Sequence, residues 1–175
     1  MSARTLSAVI AMLGFAATVA LAQSPNEIDT PGWKALRIRA MGFETRYPGT
    51  WHVRSVKGAG PETVLLDETP QAGKPHLAVQ FWVQRHVNPR GLLVQHWYED
   101  QLRRMNATSP PTANTSIGGR PTLRMETTGM LGRTFQFFTS LNKTDIIEIT
   151  MTQPASQTQL NPTYRKLLST VKFID

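Results

Sequence analysis

The side chains that do most protein chemistry are few in this chain: four histidines, twelve carboxylates and no cysteine. His96 and Asp100 are four apart, so on a helix they share a face and can reach one ion. Two ligands do not complete a site, since even a catalytic zinc takes three protein donors. His52, His76 and His86 supply a third only if the fold delivers one of them. Exposed polar residues opposite an apolar stripe that starts at Val94 account for the pair more simply, and no metal ligand is assigned. Asp67 with Glu68, and Glu99 with Asp100, are sequence neighbours that point apart and do not converge on one substrate atom. They read as solvated edges. There is no G-x-S-x-G elbow, and Gly58, Ala59 and Gly60 lack the third glycine and apolar helix of a phosphate loop. Without cysteine there is no thiolate metal site, cysteine nucleophile, disulfide or lipid-attachment site. The expectation is therefore no catalytic residue, no cofactor and no enzyme; a hydrolase ranks behind two binding functions.

Two further groups carry information. Asn106, Asn114 and Asn142 each open an Asn-x-Ser/Thr acceptor, which predicts surface loops at all three. Trp82, Trp97, Phe135, Phe137 and Phe138 are candidates to line a ligand cavity. Their spacings are those of sheet and helix interiors, which favours core packing.

The elements that must position these residues begin after a leader. Leu6–Ala22 is a nearly unbroken apolar run behind Arg4, and Ala20 and Ala22 form the small-x-small end of a secretory signal. Cleavage after Ala22 makes Gln23 the mature N-terminus; an uncleaved membrane anchor is the alternative, at about the minimum length for a span. Residues 23–32 are polar with Pro25 and Pro31, a flexible tether, and 33–175 form one domain. Export without disulfides tilts the location toward a bacterial periplasm. The net charge of +7 falls by one with the loss of Arg4. Such a charge suits an anionic membrane surface, but the basic residues are spread along the chain, as on a solvated surface. No interleaving of bases and aromatics points to nucleic acid.

Within the domain, the stretch Gly42–Trp51 is expected to organise the fold. Phe43, Thr45 and Tyr47 alternate with Glu44 and Arg46, the period of a strand buried on one face. Pro48 ends it, Gly49 and Thr50 turn, and Trp51 anchors the second arm of a hairpin against residues such as Phe81 or Phe135. Further strands are expected at Leu36–Arg39, Thr63–Asp67 and His76–His86, the last in the sheet interior. Asn88 and Pro89 have the composition of a helix start, predicting a helix to Met105 with Val94, Tyr98, Leu102 and Met105 in one stripe widened by Trp97. Asn161 and Pro162 repeat the device before Tyr164, Leu167, Leu168 and Val171. Residues 106–116 contain two adjacent prolines and nothing large and apolar, and are expected to be a mobile loop. Three strands from Ile117 to Met151, joined by short turns, must run antiparallel. The fold class is α+β: a single domain with a central antiparallel sheet of about six to seven strands packed with two main helices.

The order of several short motifs resembles the PsbP-like superfamily. They are Gly42-Phe43-Glu44 with Tyr47-Pro48 and Trp51, then strands and an amphipathic helix, then Ile117-Gly118-Gly119-Arg120-Pro121, then a meander and a closing helix before Lys172-Phe173-Ile174. That superfamily includes the extrinsic PsbP subunit of photosystem II and bacterial exported proteins of unknown function. The resemblance spans Leu36–Ile174. It implies an antiparallel sheet between helical layers and a non-enzymatic accessory or binding role, without a cofactor. None of the photosynthetic subunit's functional residues maps onto this chain, and the lipoprotein cysteine of bacterial relatives is missing. Two functions stay open: an accessory protein that binds another protein of the cell envelope, and a carrier of a small apolar ligand between helix and sheet.

Overall fold

Alternating burial along the strands, rather than continuous apolar runs, sets this architecture. The structure, a computed structural model, describes residues 31–55, 64–68, 80–130 and 132–174. Ten strands and two helices follow in the order β1 Trp33–Ile38, β2 Phe43–Pro48, β3 Trp51–Ser55, β4 Val64–Glu68, β5 Gln80–Val87, α1 Val94–Arg104, β6 Thr112–Ile117, β7 Arg120–Gly129, β8 Gly132–Ser140, β9 Asp145–Gln153, α2 Pro162–Ser169 and β10 Lys172–Phe173. A seven-stranded sheet has the order β3-β4-β5-β9-β8-β7-β6, every neighbour antiparallel. A second sheet, β1-β2-β10, shares no strand pairing with it. The α+β class and the strand number match the sequence reading.

The large sheet buries both faces. On one, Phe81, Val83, Phe135, Phe137, Ile147, Ile149 and Met151 meet Phe43 and Tyr47 of β2 and Tyr164 and Leu167 of α2. On the other, Leu123, Met125, Phe138 and Ile146 meet Trp97, Tyr98 and Leu102 of α1. The period of two divides β8 between them, Phe135 and Phe137 to the first core and Phe138 to the second. One covering layer is thus itself a small sheet with α2, where the family resemblance implied helices alone. That layer is tied by buried hydroxyls. Thr45 and Thr170 Oγ1 lie 3.0 Å apart, both reach the Leu167 carbonyl, and Arg46 N donates to Thr170 Oγ1 at 2.9 Å. Thr170 ends α2, so one side chain joins helix end to strand.

Three expectations about elements are corrected. Trp51 is buried, but it does not anchor a hairpin with β2: β1 pairs along one edge of β2, β10 pairs with Phe43 and Glu44, Thr170 Oγ1 accepts from Arg46 N, and β3 pairs with β4 instead. Asn88 does not cap α1. It opens a turn in which Gly91 N donates to Asn88 O and Gly91 takes φ +60, a conformation that interrupts any helix from Pro89. The Asn88 side chain clasps Leu92 from both sides, Oδ1 accepting from its N–H and Nδ2 donating to its carbonyl, and α1 starts at Val94. It stops at Arg104, leaving Met105 exposed. Residues 112–117 are a strand, not loop: with polar side chains on both faces, an edge strand shows no hydrophobic alternation, and its pairing with β7 defines it. The second Asn-Pro does cap as expected, Asn161 Oδ1 accepting from Thr163 N at 2.8 Å.

Ala20, Ala22 and Gln23 of the expected cleavage site, most of the expected tether, and His76 lie outside the described residues. Among the described residues no helix is long and apolar enough to cross a membrane.

Candidate functional site

Among the described residues, Glu148 is a half-buried carboxylate that gathers polar partners from the sheet itself. It sits in β9 between Ile147 and Ile149, pointing to the face that α1 partly covers. Strand register sets its neighbours: Gln84 of β5 lies opposite on one side and Phe138 of β8 on the other. Glu148 Oε2 lies 2.6 Å from His86 Nε2, and Oε1 accepts from Gln136 Nε2 at 2.9 Å and from Thr150 Oγ1 at 2.7 Å. Trp97 and Phe138 wall the imidazole, with ring centroids 5.4 and 6.4 Å from it. The Trp97 indole in turn donates to the Val87 carbonyl. Burial alone would raise the Glu148 carboxyl; hydrogen bonds from His86, Thr150 and Gln136, with the charge of His86, outweigh it and hold the group below its ordinary value. Tyr98 responds in the opposite sense, its phenol raised by burial and then by the Glu148 charge.

Chemically this is a satisfied carboxylate. Both oxygens accept from the protein itself, and a lowered pKa is the reverse of what a general base working near neutrality needs. The alternation of β9 marks Glu148 as outward-facing, but nothing in the local sequence says that α1 lies across that face. That is why it escaped the sequence reading. Of the expected metal candidates only His86 enters the cluster.

The residues singled out from sequence do not assemble. His96 is exposed on α1, while the Asp100 carboxylate is engaged by Arg104 at 2.8 Å, Arg90 at 3.5 Å and Arg103 at 4.0 Å. Glu99 accepts from Gln95 on the same helix. His52 is on β3, and Asp67 and Glu68 on β4 pair with His52 and Trp51 respectively. Among the described residues no group of three His, Asp or Glu converges on one point. Asn106, Asn114 and Asn142 are all exposed, although Asn114 lies on β6 rather than in a loop. Trp97, Phe135, Phe137 and Phe138 fill the two cores, and Trp82 is half-buried.

A partly open cavity of about 470 Å³ lies elsewhere on the α1 face, between the start of that helix and the β6–β7 edge. Leu93, Val94, Pro121 and Leu123 give it an apolar lining, with Asn114 and Ser140 at its polar margin. None of the five aromatic candidates lines it. Arg120, also at this cavity, donates to the Ser140 and Leu141 carbonyls and stacks its guanidinium over Phe173 at 4.7 Å.

No protein-family model matches this sequence, and no curated protein matches it. Solved structures do resemble the fold. A Bacteroides thetaiotaomicron VPI-5482 protein aligns with a TM-score of 0.50 at 12% identity, over 76% of this chain and 45% of its own, so this chain spans less than half of it. Cyanobacterial PsbP (CyanoP) from Synechocystis sp. PCC 6803 aligns with a TM-score of 0.57 at 12% identity, over 87% of this chain and 98% of its own. At that identity the likeness concerns the fold alone. Near-complete coverage of CyanoP, with an antiparallel α+β architecture, gives this chain a PsbP-like fold.

Proposed function

We propose that this is an exported accessory protein of the bacterial periplasm that acts by binding another protein of the cell envelope, without catalysis and without a cofactor. The observation that carries the reading is the state of Glu148: its oxygens are occupied by His86, Gln136 and Thr150 and its acidity is strengthened. A half-buried polar network satisfied in this way serves to specify packing. The similarity to cyanobacterial PsbP in fold, and the leader ending at Ala22, agree with it.

Native mass spectrometry of the protein purified from its own periplasm tests the reading. A stoichiometric co-purifying protein is the expected result, and turnover of a substrate dependent on Glu148 or His86 would overturn it. N-terminal sequencing of the same sample is expected to start at Gln23; recovery of Met1 in a membrane fraction would replace export by anchoring. The second reading, a carrier of a small apolar ligand, rests on the cavity between α1 and the sheet. Retention of a small molecule through purification would favour it.

A further inference from the structure

We infer that the outer edge of β6 takes up an extended, acid-flanked segment of the partner as an additional strand, one of its apolar side chains entering the cavity beside Leu93. This rests on the accessory reading and names the surface and partner chemistry it would use.

Strand β6 is the last strand of the seven, and among the described residues nothing pairs with its outer side. A sheet edge presents a row of backbone donors and acceptors, and proteins ordinarily blunt it with lysine, proline or a bulge. Thr112–Ile117 carries no charge and no proline, pairs residue for residue with β7, and leaves its first five residues exposed. Six residues offer about 20 Å of edge. Strand addition draws affinity from the main chain and specificity from pockets that accept alternate side chains. Such a pocket adjoins this edge. Asn114 lies opposite Leu123, on the α1 face, and both line the cavity of about 470 Å³. Leu93, 71% exposed, stands at its margin.

Charge selects among occupants. Loss of Arg4 with the leader leaves the charge one below the full sequence's +7, still strongly basic, and Arg120 stands at the cavity itself. A second copy would bring like charge to like, whereas acidic residues flanking the inserted strand would be attracted.

The test uses the protein without its leader and a fluorescent nine-residue peptide library with two glutamates at each end and alternating Thr and variable apolar residues between. Affinity is read by anisotropy, and the site by amide chemical shifts and hydrogen exchange. Expected are selected peptides whose binding weakens several-fold on raising salt from 50 to 300 mM and slows exchange within 112–117. Binding should fall at least tenfold in both Asn114→Trp, which fills the cavity, and Leu93→Glu, which sets a negative charge at its margin. Both positions are exposed, and matching thermal melts verify folding. Peptides that bind with shifts elsewhere, no binding by any library member, or equal affinity in the folded variants would overturn the inference. So would a dimer in sedimentation that Asn114→Trp dissolves, in favour of self-pairing. The accessory reading fails separately, if the periplasmic protein purifies with no protein partner.

Discussion

Trp51 stands edge-on to Tyr164, ring centroids 6.0 Å apart and planes at 81°, so that the first strand of the large sheet is locked to the C-terminal helix. Both rings are buried, and the Tyr164 hydroxyl donates to the Thr152 carbonyl at 2.6 Å. Trp51→Ala is expected to cost about 3–5 kcal/mol, the range for a large core aromatic. That is a large share of the roughly 5–15 kcal/mol that holds an ordinary domain. Urea unfolding measures it; a loss under about 1 kcal/mol would mean that β3 is dispensable to the core.

The Glu148 cluster predicts a pH dependence of definite sign. A carboxyl whose folded value is depressed adds stability that is present above its unfolded value, near 4.5, and is lost as pH falls through the lower folded value. Glu148→Gln should cost about 1.5–3 kcal/mol near neutrality, as for hydrogen bonds to a charged group. The gap between variant and parent should close in acid. Urea titrations at several pH values give the answer, and a gap constant with pH would show that the carboxylate charge contributes nothing.

Gly132 opens β8 at φ +120, where a side chain is strained, and a Cβ there would lie 2.3 Å from the Gln153 carbonyl oxygen. Gly132→Ala should lose at least about 1–3 kcal/mol from backbone strain alone. Gly129, its partner across the hairpin, has open space around its Cβ position, so Gly129→Ala should stay within about 0.5 kcal/mol. Thermal melts of the two variants compare these directly, and equal melting shifts would refute the assignment of the strain to Gly132.

On α1, His96→Ala should change stability by less than about 0.5 kcal/mol, as for an exposed residue without a structural partner. Asp100→Asn should cost up to about 1 kcal/mol by weakening its arginine contacts, and less at high salt. Chelator treatment of the parent should leave the unfolding curve in place. A chelator-sensitive midpoint that His96→Ala abolishes would restore the metal site.

What the sequence shows of this fold is what periodicity can encode. Phe43, Thr45 and Tyr47 face the core as their alternation requires, and the antiparallel meander through Phe135 and Ile149 follows from its short turns. Pairing partners are less legible. Gly49 and Thr50 look like a hairpin turn, but β3 pairs with β4, while β2 takes β10 at Phe43 and Glu44 and the Thr170 hydroxyl at Arg46 N, partners distant in sequence. Asn88-Pro89 and Asn161-Pro162 look alike, and the difference lies in Gly91, which breaks one helix start and has no counterpart in the other. The Glu148 site was hidden for the same reason as the hairpin: Thr150 is local, but His86 comes from β5 and Gln136 from β8, and only the tertiary fold brings them to one carboxylate.

The small sheet also sets an order of events. Strand β2 is made long before its partner β10, and Phe43 and Phe173 meet edge-on only when both exist. Contacts that span so much chain are slow to form, because the loop must close before the pairing can reward it. Until β10 arrives, Phe43 has an open flank and the start of β2 lacks its second neighbour, the kind of surface on which growing chains aggregate. A nascent chain of this design is therefore vulnerable until β10 has been made, and loss of β10 would leave it permanently in that unfinished state.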